Sequence, residues 1–278
     1  MKKILVPVDF SAHSEYALEV AAVIAKKQNA EVIALHMMGL SEAVVNKNES
    51  KEVFEAMYYL KLAEKRFSEF LDKKFLEGVK VTDTVYNYKH FHEINDLAKE
   101  YQADLIVMGS HGSSGLSEVF VGSNTEKVVR TSEIPVLVIK NKPKNFTFEN
   151  VVFACDFQKE SIMAYQKAIK FFKLFTANVH LLHVNLPNER FRSTTEIEDK
   201  VRDFLYQADL GSLDSLSKVV YVDDYSVEDG VFSYSNKINA DAIAVSTHGR
   251  RGLAHFFFGS VGEDLANHSD IPVLTFKI

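Results

Sequence analysis

Most of this chain is written twice. The stretch ILVPVDFSAHSEYALEVA at 4–21 is matched by VVFACDFQKESIMAYQKA at 151–168, and AEVIALHM at 30–37 by ANVHLLHV at 177–184. Asp9 answers to Asp156 and His36 to His183, both 147 positions further on. Nearer the end, ADLIVMGSHGSSGLSEVFVGS at 103–123 is matched by ADAIAVSTHGRRGLAHFFFGS at 240–260, and IPVLVI at 134–139 by IPVLTF at 271–276, now 137 positions on. The second copy is therefore ten residues shorter in its middle. Copies of this length are domain-sized, so the expected division is residues 1–140, a linker at 141–150, and residues 151–278. The linker NKPKNFTFEN combines a proline with asparagines and lysines and has little periodicity.

Inside the first copy, the short runs KILVPV, EVIALHM, VTDTVY, DLIVMG and PVLVIK read as strands. Helical stripes lie between them: Ala17, Val20, Ala21 and Ile24 form one, and Leu60, Ala63, Phe67, Phe70 and Leu71 another. Strands that are apolar on both faces, each followed by a helix, make a parallel sheet covered on both sides. The expected class is thus α/β, with two tandem five-stranded parallel sheets of Rossmann-like type carrying helices on both faces. Ligands of such sheets sit beyond the carboxyl ends of the strands, where the strand order reverses. In the first copy those ends carry Asp9, His36 with Met37, and Met108 with Gly109.

After the fourth strand comes GSHGSSGLSEVFVGSN at 109–124, which fits neither GxxxxGK[ST] nor GxGxxG. Gly109 ends the strand, Gly112 follows, and Gly122 with Ser123 leads into NTEKVVR, which reads as a helix. Glycines let backbone approach a ligand closely, and the first N–H groups of a helix attract anions. Phosphate suits such a loop; the alternative is a plain turn with Ser123 as the N-cap. The intervals recur in the second copy as Ser246, Gly249, Gly259 and Ser260. Asp9 faces the same crevice, where a carboxylate suits a ribose hydroxyl or an exocyclic amine, unless it serves only to cap the next helix. Amides for phosphate beside a carboxylate for nucleoside describe a nucleotide.

VPVDFS, the LHM that ends strand two, and the pattern G-x2-G-x9-G-S resemble the ATP-binding branch of the universal stress protein family, in both halves nearly end to end. The resemblance implies an adenine nucleotide alpha hydrolase-like fold, with the two halves packed as a pseudo-dimer. It also implies that Pro7, Asp9 and Met37 lie around adenine and ribose. Met108, Gly109, His111 and Gly112 would line the ribose and first phosphates, and Gly122, Ser123 and Asn124 the outer ones. The implied ligand is ATP or AMP, with Mg²⁺ reached through the phosphates and no metal held by protein side chains. Members of this branch often pair through the last strand and act in stress tolerance without an agreed catalytic reaction. The second copy departs from the pattern: Ser246 replaces the first glycine, Ala154 the proline of the opening motif, and Gln158 its serine. A second, less complete site would be formed by Asp156, Val184, Ser246, His248, Gly249, Gly259, Ser260 and Val261. If position 246 had to be left-handed, its side chain would add strain as well as bulk, while Arg250 or Arg251 could offset this with a contact to phosphate.

Net charge −6 and the lack of a basic tail argue against nucleic acid as a partner. No apolar run approaches a membrane span, and the opening MKKILVPVD has too short an apolar core for a signal peptide. The single cysteine, Cys155, forms no internal disulfide and agrees with a reducing, cytoplasmic setting. The histidines of KHFHE at 89–93 make a poor metal pair. Fast phosphoryl transfer needs a cation on the moving group and a residue to place the nucleophile, and the first loop has no lysine. The expected role is therefore nucleotide binding, with slow hydrolysis at most and no catalytic residue. The alternative is a regulatory dimerisation scaffold with empty crevices. The last strands PVLVI and PVLTF should pair the halves, leaving a further homodimer open.

Overall fold

The computed structural model describes residues 1–38, 49–87, 93–110, 123–142, 145–247 and 270–278. In the first half the chain runs β1 (Lys3–Val8), α1 (Ala12–Gln28), β2 (Glu31–Met38), α2 (Glu49–Phe70), β3 (Lys80–Asn87), α3 (Glu93–Glu100), β4 (Leu105–Gly109), α4 (Ser123–Thr131) and β5 (Val136–Ile139). The second half runs β6 (Asn150–Ala154), α5 (Ile162–Lys173), β7 (Asn178–Asn185), α6 (Thr194–Ala208), β8 (Val219–Asp223), α7 (Val227–Lys237), β9 (Ala242–Thr247) and β10 (Val273–Lys277). Strand and helix alternate as the apolar patterns require. Among the described residues no helix is long and apolar enough to cross a membrane.

The two five-stranded parallel sheets are joined edge to edge through their last strands, as the apolar ends of the two copies led one to expect. Ten strands lie in the order β3-β2-β1-β4-β5-β10-β9-β6-β7-β8. Neighbours within each half are parallel, whereas β5 and β10 are antiparallel, with Val136 opposite Thr275, Leu137 opposite Leu274 and Val138 opposite Val273. The cause is the edge: the last strand of each half would otherwise present a row of bare N–H and C=O groups. The Thr275 hydroxyl donates to the buried Val136 carbonyl at 3.4 Å across this seam.

Strand side chains alternate faces, so the seam distributes the core. Leu137, Ile139, Leu274 and Phe276 join a single apolar layer that includes Val6, Leu18 and Phe67 of the first half and Phe153, Tyr165 and Phe204 of the second. On the opposite face Val136 and Val138 belong to a first-half cluster with Ile94 and Leu97, and Val273 to a separate second-half cluster with Val152 and Val231. The linker is not a bare tether. Phe146 and Phe148, two residues apart, are buried, and the Phe148 ring lies 4.8–5.8 Å from those of Phe171, Phe172 and Phe175. On α2 the predicted stripe holds at Ala63, Phe67 and Phe70, which are buried, but Leu60 is 40% exposed.

Because β5 and β10 are each paired on both sides, the amides of residues 136–139 and 273–276 should be as protected in hydrogen exchange as those of β1. Fast exchange throughout 136–139 would show that the seam does not persist in solution.

Candidate functional site

From β1 the chain moves outward through β2 and β3, then returns to place β4 and β5 on the other side of β1. The crossovers therefore diverge between β1 and β4, which opens a crevice at their carboxyl ends. Pro7 near the end of β1, Asp9 just past it, Met37 on β2 and Gly109 at the end of β4 all border this region. Met108 belongs to the buried cluster beneath, so it forms floor rather than wall. The backbone of Ser123 starts α4, and Asn124 is half-buried in its first turn. His111, Gly112, Gly122, His248, Gly249, Gly259, Ser260, Val261, Arg250, Arg251 and residues 89–92 lie outside the described residues.

Asp9 does not cap α1. Ser11 does, by accepting from the Ser14 amide at 3.3 Å, while Asp9 Oδ1 accepts from the Ser11 amide at 3.0 Å and fixes the turn between strand and helix. That turn forces Phe10 to φ 65, a left-handed conformation that costs a phenylalanine about 1–3 kcal/mol. The second half repeats it: Asp156 Oδ1 accepts from the Gln158 amide at 3.1 Å and from the Ser161 hydroxyl at 2.9 Å, with Phe157 at φ 51. In each half aromatic packing holds the strained residue. The Phe10 ring lies 4.6 Å from His36 and 5.1 Å from Phe67, under the Arg66 guanidinium, and the Phe157 ring lies 5.3 Å from Phe204 and 5.9 Å from His183. Sequence reasoning missed both phenylalanines, although the doublet Asp-Phe recurs at the same place in both copies.

The two histidines are part of this device. His36 Nδ1–H donates to the Val8 carbonyl at 2.7 Å. Burial holds the His36 imidazole below its ordinary value, helped by Arg66 and opposed by the Val8 carbonyl and Asp9. Burial likewise lowers His183, helped by Lys200 and opposed by the Cys155 backbone and Asp156. Both are lowered, so the unfolded chain takes up protons before the folded one. Their contribution to stability is whole above pH about 6.5 and is lost as pH falls below it.

Gly109 is needed for closeness, not for a left-handed backbone, which corrects the strain expected of that position. It is absent from the glycines at positive φ, but a Cβ there would stand 2.8 Å from the backbone carbon and oxygen of His13, where α1 crosses the end of β4. Its carbonyl accepts from the Thr125 hydroxyl at 2.8 Å, so the first turn of α4 is clasped to the strand end, and Thr125 is a positioning residue that the glycine spacing did not reveal. In the second half Ser246 stands in place of Gly109, and there a 3-10 turn at Lys159–Ser161 precedes the helix, so the tight crossing is not repeated. The position matching Thr125 is Gly262, which has no hydroxyl to donate.

Beside Asp156 the described residues leave a cavity of about 170 Å³ lined by Cys155, His183, Val184, Lys200 and Val227. Ligand pockets usually enclose roughly 300–1,000 Å³. Val184 is itself packed under α7, where a Cβ on Gly230 would come within 2.7 Å of its Cγ1. The buried Cys155 thiol is pushed far up by desolvation and stays protonated.

Gly109→Ala should lose about 1–3 kcal/mol of folding stability in urea titration, because backbone must move to admit the methyl group. Ser246→Ala should change it far less. The melting temperature should fall as pH drops below about 6.5, and His36→Gln, which takes up no proton, should shrink that fall. An unchanged pH slope in this variant would remove His36 from the account.

The universal stress protein family model matches residues 1–140 and again 147–277. A universal stress protein of Methanocaldococcus jannaschii is 37% identical over 155 residues, covering 51% of this chain and 96% of that protein. Another, YxiE of Bacillus subtilis, is 34% identical over 146 residues, covering 50% and 98%. A solved universal stress protein structure from Archaeoglobus fulgidus overlays 99% of this chain and 98% of its own with a TM-score of 0.73 at 21% identity, which supports the fold. With the family unit matched twice along its length, the chain belongs to the universal stress protein family.

Proposed function

We propose that the chain is a cytoplasmic, adenine-nucleotide-binding stress-response protein, with units 1–140 and 151–278 joined through 141–150 and its principal nucleotide site in the first unit. One observation carries the reading. At the switch between β1 and β4, the Asp9 carboxylate is fixed by a strained turn, while the strand end opposite is tied by Thr125 to the first turn of α4. A group that accepts hydrogen bonds thus stands across from a helix start that offers amides. Asp9 would take donors of the nucleoside, with Pro7 and Met37 against the base. The amides at Ser123 and Asn124 would take phosphate, together with Gly109, His111, Gly112 and Gly122 of the loop. Mg²⁺ would enter through the phosphates of ATP, where it supplies positive charge. The same chemistry admits ATP or AMP.

This arrangement binds better than it turns over. A neutral His36 is already committed to the Val8 carbonyl, and the loop sequence 109–124 contains no lysine for the moving phosphoryl group. Hydrolysis, where present, would be slow. The second unit is read as a weaker or structural site, because Gly262 replaces Thr125 and α7 is seated on Val184.

Titration calorimetry with ATP and Mg²⁺, after bound nucleotide has been extracted and identified, tests both statements. Asp9→Ala should weaken the tighter event by roughly ten- to hundred-fold, the range for a hydrogen bond to a charged group. Gly122→Trp should abolish it. Loss of the tighter event only in Gly259→Trp would reverse the assignment, and the absence of any binding would favour the scaffold.

A further inference from the structure

Beside Asp156 the second crevice holds a charge that the first does not. Lys200 on α6 is half-buried and lines the same cavity as Asp156. It stands four residues before Phe204, the ring packed on the left-handed Phe157. Four residues before Phe67, which packs on Phe10 in the same way, the first half has the buried Ala63. Lys200 is close enough for its charge to act on both His183 and Cys155. Yet it joins no ion pair among the described residues, with Asp156 or with any other. Asp156 is only half committed. Its Oδ1 accepts from the Gln158 amide and the Ser161 hydroxyl, while its Oδ2 accepts from no described group. The wall around the two charges includes the apolar Ala154, Leu182, Val184, Leu186 and Val227.

Charges held against apolar surface are costly unless each is paired, and here a cation and an anion line one cavity without pairing with each other. A guest that carries both signs satisfies both. The nucleoside end of a nucleotide offers donors to Asp156 but no anion to Lys200, and a plain carboxylate leaves Asp156 unanswered. We propose that the second crevice is a site for a free α-amino acid with an apolar side chain, in which Lys200 pairs with the carboxylate, Asp156 Oδ2 with the ammonium, and Val184 and Val227 meet the side chain. The site goes beyond nucleotide binding and stands whether or not the first crevice holds ATP.

Titration calorimetry of the full chain, freed of bound nucleotide, with L-alanine, L-valine and L-leucine in turn should give at least one of them a single saturable event per chain below about 10 mM. For L-valine the molecule without its ammonium is isovalerate, and without its carboxylate isobutylamine. Each should bind at least about ten-fold more weakly, the loss of one charged hydrogen bond. Lys200→Met keeps the stem and removes the charge; it should weaken the amino acid by about ten- to hundred-fold and leave the ATP titration unchanged. Asp156→Asn retains the Oδ1 acceptor that fixes the turn and should weaken the amino acid to a similar extent. No saturable event with any of the three, binding indifferent to either substitution, a half-ligand that binds as well as the whole, or an ATP titration that changes with Lys200→Met would each overturn the proposal. The ATP titration of Asp9→Ala is read separately, so failure here is distinct from failure of the first crevice.

Discussion

The antiparallel contact between β5 and β10 is the constraint from which the rest of the architecture follows. Each half is a parallel layer whose crossovers leave its last strand at an edge, and a bare edge recruits whatever strand is near. Joining two such halves last strand to last strand closes both edges at once. It also opposes the direction of every strand in one half to every strand in the other. The carboxyl ends of β1 and β4 therefore lie at the opposite end of the sheet from those of β6 and β9. Among the described residues the two crevices are built on different strands, so each is free to change separately.

The divergence of the halves fits that freedom. Both keep the costly part of the switch, the aspartate turn with a left-handed phenylalanine held against a histidine. Strain of this kind persists only where the surroundings over-determine it, and Phe67 and Phe204 supply equivalent packing in the two halves. What differs is the other wall. Gly109 lets α1 cross β4 at contact distance and Thr125 ties α4 to the same carbonyl, whereas Ser246 and Gly262 keep neither feature.

The repeat made the parallel order and the pairing of last strands legible, because a constant offset between Asp9 and Asp156 leaves few topologies open. It did not show the register across the seam, Leu137 opposite Leu274, which depends on side-chain packing between the two halves. Asp9 and Gly109 were legible from type and position as residues at the carboxyl ends of β1 and β4. The reason for Gly109 was not, because the approach of His13 is a tertiary fact. Phe10 and Phe157 carry no local signal of positive φ, their strain being offset by rings distant in sequence. Phe146 and Phe148 were hidden by their polar neighbours, although their spacing of two is that of an extended segment lying on a core.

The seam also determines which parts of the surface remain for association. With β5 and β10 both enclosed, the sheet ends in β3 and β8, and α2 lies against the β3 end with Ala63, Phe67 and Phe70 in the core. The residues missing from the second copy belong to this region rather than to the crevice. Doubling the unit thus satisfied within one chain the edge contact that separate copies would otherwise compete for. The longer first copy therefore has, in the extra turns of α2, a surface for which the second half has no counterpart, so the two outer ends of the sheet are not equivalent.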